Sequence, residues 1–200
     1  MDPNRGDRAD QPSDDVTGGA PEGGPGTVLS IDELVLRPWR PADAPEVLAI
    51  CQDPEIARWV TIPQPFLPAD ADAFIEGAAA MWRDGTGAPF AIVDGAAGPL
   101  LGAVTRFGPE GHQATFGLWL APAARGRGVG TRALRLITDW TFATTAAIRL
   151  DAFIMVGNEA SHRMTERAGF VREGVLRAWD LHHDGVPVDC VVFSRIRGDG

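Results

Sequence analysis

Residues Ala124 to Leu134 read ARGRGVGTRAL, with three glycines and three arginines in eleven positions, between an apolar run and a helical pattern. A turn at the mouth of a helix gathers backbone N–H groups that the helix leaves unpaired, and it adds the positive end of the helix dipole. Glycines there let an anion close on the backbone, so the chemistry on offer is phosphate binding. Arg125 and Arg127 add charge. A plain strand-to-helix turn that needs positive φ would use the same glycines. The nucleotide pattern G-x-x-x-x-G-K-[ST] does not occur. A kinase glycine loop joins two strands, whereas this turn enters a helix. The dinucleotide pattern G-x-G-x-x-G starts on Gly126 and Gly128, but its third position falls on Thr131. Asp151 stands at the distance of a ribose-binding acid, yet inside the strand IRLDAFI rather than past its end. The spacing met in full is R-x-x-G-x-G, on Arg125, Gly128 and Gly130.

A second group of polar residues lies in GNEASHRMTERAGF, Gly157 to Phe170. Asn158 takes the place of a helix N-cap and Gly169 sits just past the helix end. Ser161 falls in the first turn, where a hydroxyl either bonds backbone or faces outward. Groups able to move a proton are Glu173, Asp180, His182 and Asp189, with His112 earlier, and no spacing singles one out as a base. Cys51 and Cys190 lie in a helical and a strand pattern and read as small core hydrophobes rather than a disulfide framework. His182 and His183 form the only close pair of zinc-type ligands, too few for a site, so no metal is expected.

The elements that hold these groups follow from pattern. Met1 to Thr27 is Gly, Pro, Asp and Ser with little to bury, and residues 1–27 are expected to be a disordered tail. Residues 28–197 read as one domain in the order β-α-α-β-β-β-α-β-α-β-β. ELVLRPW is a strand ended by Arg37-Pro38, and PADAPEVLAICQDPEIARWV is a helix broken at Pro54. IPQPFLP is a proline-rich loop before the helix ADADAFIEGAAAMWRDG. PFAIVD and PLLGAVTRF flank the turn DGAAG, HQATFGLWL is the next strand, and a helix runs from about Gly128 to Ala143. VLRAWDLHH and VPVDCVVFSRI pair across Asp184-Gly185.

Net charge is -9, which opposes a general nucleic-acid binder and suits either a cationic substrate such as an amine or simple solubility. No apolar run reaches membrane-span length and no signal pattern opens the chain, so a cytoplasmic protein without a membrane partner is expected.

ARGRGVGTRAL resembles the pyrophosphate loop of the GNAT superfamily of acyl-CoA N-acyltransferases. GNEASHRMTERAGF resembles the N-x-x-S-x-x-x-x-x-x-x-G-F segment of that superfamily's RimJ/RimL-like branch, and LVLRPWRPADAPEVLAI resembles the branch's first strand and helix. The likeness covers roughly Ile31 to Arg197. It implies an α/β (α+β) fold: a mixed, mainly antiparallel sheet of about seven strands with helices on both faces. It also implies that HQATFGLWL and IRLDAFI are parallel and splay apart, with a bulge or close approach at Gly117. The cosubstrate implied is acetyl-CoA. Leu118, Trp119 and Leu120 would offer backbone groups to pantetheine and thioester. Backbone amides of Arg125, Gly126, Arg127, Gly128, Val129, Gly130 and Thr131 would hold the pyrophosphate. Asn158 would bond the pantetheine amide, and Ser161 stands where other members carry a tyrosine acid, a residue type absent from this chain.

The implied activity is direct transfer of acetyl to a primary amine, on a protein N-terminus or a small molecule. A non-catalytic acyl-CoA sensor is the alternative, and a nicotinamide enzyme using Asp151 a third. A cysteine relay is disfavoured, with Cys51 placed in the wrong segment and Cys190 in a terminal strand that could border the site. Trp39, Trp59, Phe66 and Trp179 are expected on the acceptor side, and Trp82, Trp119 and Trp140 in packing roles. A homodimer is left open.

Overall fold

A computed structural model describes residues 24–182 and 184–199; the remainder of the expected tail and His183 lie outside the described residues. Eight strands form one sheet: β1 (Leu29–Ile31), β2 (Leu34–Arg37), β3 (Gly87–Asp94), β4 (Leu100–Glu110), β5 (Gln113–Leu120), β6 (Arg149–Met155), β7 (Val171–Leu181) and β8 (Pro187–Ile196). Their spatial order is β1-β2-β3-β4-β5-β6-β8-β7. The helices are α1 (Ala44–Cys51), α2 (Pro54–Trp59), α3 (Pro68–Asp84), α4 (Val129–Thr144) and α5 (Glu159–Arg167). The strand count exceeds the expected seven by β1, whose three residues pair with β2 and are too few for alternation to mark. Pro54 divides α1 from α2 as the sequence suggests, with Asp53 capping α2.

Both faces of the sheet are covered, and β3 shows why. Phe90 and Ile92 point to one side, where Val129, Ala133, Leu134 and Ile137 of α4 meet them. Ala91 and Val93 point to the other, where Val47 and Cys51 of α1 and Ala71 and Ile75 of α3 lie. A strand buried on both faces reads as a continuous apolar run, as PFAIVD does. Each fully buried Phe, Leu or Ile here contributes about 1.5–3 kcal/mol of transfer free energy.

Every strand pairing is antiparallel except β5 with β6. That parallel pairing covers only Gln113–Thr115 against Arg149–Asp151. Beyond it, Phe116–Leu120 and Ala152–Met155 run on without partners across the seam, and the sheet opens into a V. Each diverging strand leads into a helix, β5 into α4 and β6 into α5, so two helix N-termini flank the open end. The helices pack closely there: a Cβ on Gly130 would stand 2.4 Å from Met164 Sδ, and Thr131 Oγ1 donates to the Met164 carbonyl at 3.4 Å.

Among the described residues, no helix is long and apolar enough to cross a membrane, and no group of three or more His, Cys, Asp or Glu could hold a metal ion.

Candidate active site

The open V is built from backbone first. Ala121 donates its N–H to the Leu101 carbonyl of β4 at 2.9 Å. Hydrogen-bonding direction alternates along a strand, so the N–H and C=O groups of Leu118 and Leu120 face the V. Trp119 points the other way: a Cβ on Gly102 would meet its carbonyl at 2.2 Å. Of the three expected backbone partners, Trp119 is therefore corrected to a β4-facing residue, because its register with Ala103 turns its backbone inward. No bulge occurs at Gly117, which pairs with Thr105 in regular register; a Cβ there would lie 3.3 Å from the Phe107 ring.

The glycine turn follows β5. Gly126 (φ 71°) and Gly128 (φ 73°) both take the left-handed conformation, and Gly128 is the N-cap of α4. Among the described residues, the amides from Gly126 to Thr131 make no hydrogen bond, and the first bonded amide is Arg132, to the Gly128 carbonyl at 3.1 Å. A run of unbonded N–H groups at a helix N-terminus is an anion cradle. Arg125 differs from the expectation. Its amide already donates to the Pro122 carbonyl at 3.3 Å. Its guanidinium donates to the Leu120 carbonyl at 3.1 and 3.3 Å and pairs with Asp53. Arg127 reaches the Ala123 carbonyl at 3.3 Å and remains exposed.

Across the V, Asn158 caps α5, its Oδ1 accepting from the Ser161 amide at 3.1 Å. Among the described residues, the Ser161 hydroxyl makes no hydrogen bond to backbone or side chain, although the side chain is half-buried.

Two grooves open on the α1–α3 side. One, about 530 Å³, is lined by Arg58 and Trp59 of α2, Met155 and Val156 at the end of β6, and His182, Pro187, Val188 and Asp189. The other, about 380 Å³, continues past Arg58 and His182 to Cys51, Gln52, Gln64 and Phe66. Trp59 lines the larger groove and Phe66 the smaller. Trp179 lies flat on Phe153, ring centroids 4.7 Å apart, carried there by a bulge in β7 at which Asp189 accepts from the Ala178 amide at 2.8 Å. Trp39 instead packs edge-on to Phe74 at 5.0 Å and beside Trp119. Cys51, expected in the wrong segment, is on the groove wall because α1 ends there. Burial pushes its thiol up to about 11, which keeps it protonated and a poor nucleophile near neutral pH.

The candidate bases separate. Glu173 is bound to the Arg149 guanidinium at 3.0 and 2.7 Å and accepts from Ser194 Oγ. The Arg149 bonds, then that of Ser194, hold its carboxyl below the ordinary value. His112 sits at the β4–β5 hairpin, the closed end of the seam, its carbonyl accepting from Ile148 and Arg149. His182 and Asp189 line the larger groove. Asp151 is a buried partner of Arg149 at 2.7 Å, which leaves the nicotinamide reading without its acid. Asp53, which pairs with Arg125 of the glycine turn, is not singled out by the sequence; its only local signal is that of a helix N-cap.

The acetyltransferase (GNAT) domain family matches residues 33–171. The chain belongs to this family. It is thus an N-acetyltransferase of the GNAT class. An uncharacterised N-acetyltransferase of Bacillus subtilis, YoaA, is 24% identical over 172 residues, covering 85% of this chain and 97% of the relative. The ribosomal-protein-S5-alanine acetyltransferase of Vibrio fischeri superposes with a TM-score of 0.75 at 20% identity, over 86% of this chain and 98% of its own. The microcin C7 self-immunity acetyltransferase MccE, in complex with acetyl-CoA and AMP, superposes with a TM-score of 0.77 at 21% identity, over 83% of this chain and 93% of its own.

Proposed function

We propose that this GNAT acetyltransferase moves an acetyl group from acetyl-CoA directly to a primary amine, carried by a peptide N-terminus or a small molecule. The observation that carries the reading is the pairing of an open β5–β6 seam with the unbonded amides from Gly126 to Thr131. Those amides fit a pyrophosphate, and the free strand edge fits an amide-bearing pantetheine arm. Acetyl-CoA supplies the activated acyl group as a thioester. The Leu120 N–H, facing the V, is placed to stabilise negative charge on a carbonyl oxygen. As the amine nitrogen bonds the acetyl carbon and the C–S bond breaks, Ser161, with an unengaged hydroxyl, gives its proton to the thiolate sulfur and regains one from the proton the amine sheds. The donor occupies the seam on the α4–α5 side, while the amine enters by the grooves on the opposite face, past Met155.

The related S5-alanine acetyltransferase supports a peptide N-terminus as acceptor, and the two grooves share Arg58 and His182 in their walls. A cytoplasmic setting goes with two cysteines that are both free and buried. Residues 28–197 act as one catalytic domain in this reading. The first test is the thermal midpoint with saturating acetyl-CoA, CoA, NAD and NADP, followed by turnover on a panel of peptides and simple amines. Ligand at about 100 times its Kd stabilises by about 2.7 kcal/mol. A shift with the CoA species alone supports the donor site; binding without turnover on any amine favours the sensor; no shift refutes both.

A further inference from the structure

α2 is six residues long, yet it touches both sides of the V. At its N-terminus Asp53 divides its two oxygens. Oδ1 accepts from the Glu55 amide at 3.2 Å and caps the helix, while Oδ2 pairs with the Arg125 guanidinium of the glycine turn. Arg125 is in turn fastened to the Leu120 carbonyl at the end of β5. At the other end of α2, Trp59 donates its indole N–H to Glu55 at 3.2 Å, and its ring reaches within 3.7 Å of where a Cβ on Gly157 would stand. Gly157 immediately precedes the Asn158 cap of α5. One short helix therefore straps the turn that starts α4 to the turn that starts α5. The same helix presents Arg58 and Trp59 to the larger groove.

Resting on the donor and acceptor sites proposed above, we infer that Asp53 is a positioning residue that couples occupancy of the glycine turn to the shape of the acceptor groove. An anion on the amides of Gly126–Thr131 orders that turn. Arg125 carries the order to Asp53, and α2 carries it to Arg58 and Trp59. Asp53 is the less exposed partner, its side chain 16% accessible against 38% for Arg125, so the carboxylate is the fixed post and the guanidinium the movable clasp.

Asp53→Asn separates this role from capping, because asparagine caps a helix as well as aspartate does but cannot pair with a guanidinium as an anion. Arg125→Lys is the second variant: it keeps the charge and loses the fork needed to hold Leu120 and Asp53 together. Amide hydrogen exchange of the full chain is followed with and without CoA at Gly126–Thr131 and at Ile56, Ala57 and Val60, whose amides are bonded within α2. In the unaltered protein CoA should slow both sets, α2 by roughly fivefold, the lower end of ordinary coupling between sites. In D53N the turn should remain protected while the α2 response falls to less than about twofold, and in R125K the α2 response should fall likewise. With any amine found to be acetylated, D53N should raise the amine KM more than it changes kcat. If CoA protects the turn and α2 responds equally in D53N, the coupling is refuted and the donor site stands. If CoA protects nothing in the unaltered protein, the donor site is refuted and the coupling falls with it.

Discussion

The pair Arg37–Asp43 joins the end of β2 to the single 3-10 turn before α1, and its removal is the sharpest test of how this fold is held. Two parallel bonds of 2.8 Å link guanidinium to carboxylate, with side chains only 8% and 7% accessible. Asp43 also accepts from the Arg40 amide at 2.8 Å, and Arg37 donates to the Pro38 carbonyl at 3.1 Å. Asp43→Asn keeps the shape and strips the charge, leaving a buried guanidinium without its counterion. Breaking one partner of a buried pair costs about 3–5 kcal/mol. At about 2–4 °C per kcal/mol for a protein of this size, the midpoint should fall by roughly 6–20 °C. Urea denaturation at pH 7 measures the same loss isothermally. The pH dependence adds a sign. Burial works to raise the Asp43 carboxyl, but the hydrogen bond from Arg37 and that from the Arg40 amide outweigh it, and the group lies below its ordinary value. A carboxyl depressed in the folded state stabilises above its unfolded pKa and loses that contribution as pH falls through the folded one. The gap between the unaltered protein and D43N should therefore be full at pH 7 and narrow on acidification below the ordinary carboxylate range. The double variant R37M/D43L, with no charge left to desolvate, should be more stable than either single change. A D43N protein within about 1 kcal/mol of the original at pH 7, or a double variant no better than the singles, would refute this reasoning.

Three other outcomes are expected. Gly130→Ala forces a Cβ to 2.4 Å from Met164 Sδ and 3.2 Å from Leu120 Cδ1, so it should destabilise by about 1–3 kcal/mol and weaken CoA binding, and Met164→Ala in the same chain should restore much of the binding by calorimetry. Ser161→Ala keeps the amide that Asn158 caps, so the midpoint should hold while kcat falls roughly ten- to hundredfold, near the floor of general acid catalysis because a thiolate leaves well; an unchanged kcat removes the proton-donor role. Glu173→Gln should leave kcat intact, since its carboxylate is already bound by Arg149 and Ser194; a large fall in kcat would reinstate it as the base.

What the sequence made legible was local. The glycine turn, the Asn158 cap, the Gly85 and Gly169 helix stops and the Asp184-Gly185 hairpin are each set within a few residues, and each stands as read. The α4 helix begins one residue after its reading and ends one later, within ordinary fraying. What escaped was long-range. Asp53 and Arg125 are 72 residues apart, and nothing in either neighbourhood marks a pairing. The direction of Trp119 depends on its register with β4, where a slip of one residue would reverse it. Cys51 reached the groove because α1 ends beside IPQPFLP, a packing fact with no periodicity. β1 carries too few residues for alternation to show.

The short parallel pairing has a mechanical meaning. Five strands on one side and three on the other are continuous plates of antiparallel ladder, joined by a hydrogen-bonded hem of only three residue pairs. A sheet stitched at one end of a single seam does not open all together. The β6–β8–β7 plate should exchange its amides as a cooperative unit of its own, at a free energy below that of the β2–β5 plate. Lengthening or trimming the hem by one residue pair would change the angle between the plates, and with it the spacing of the groups that β5 and β6 carry into the cleft.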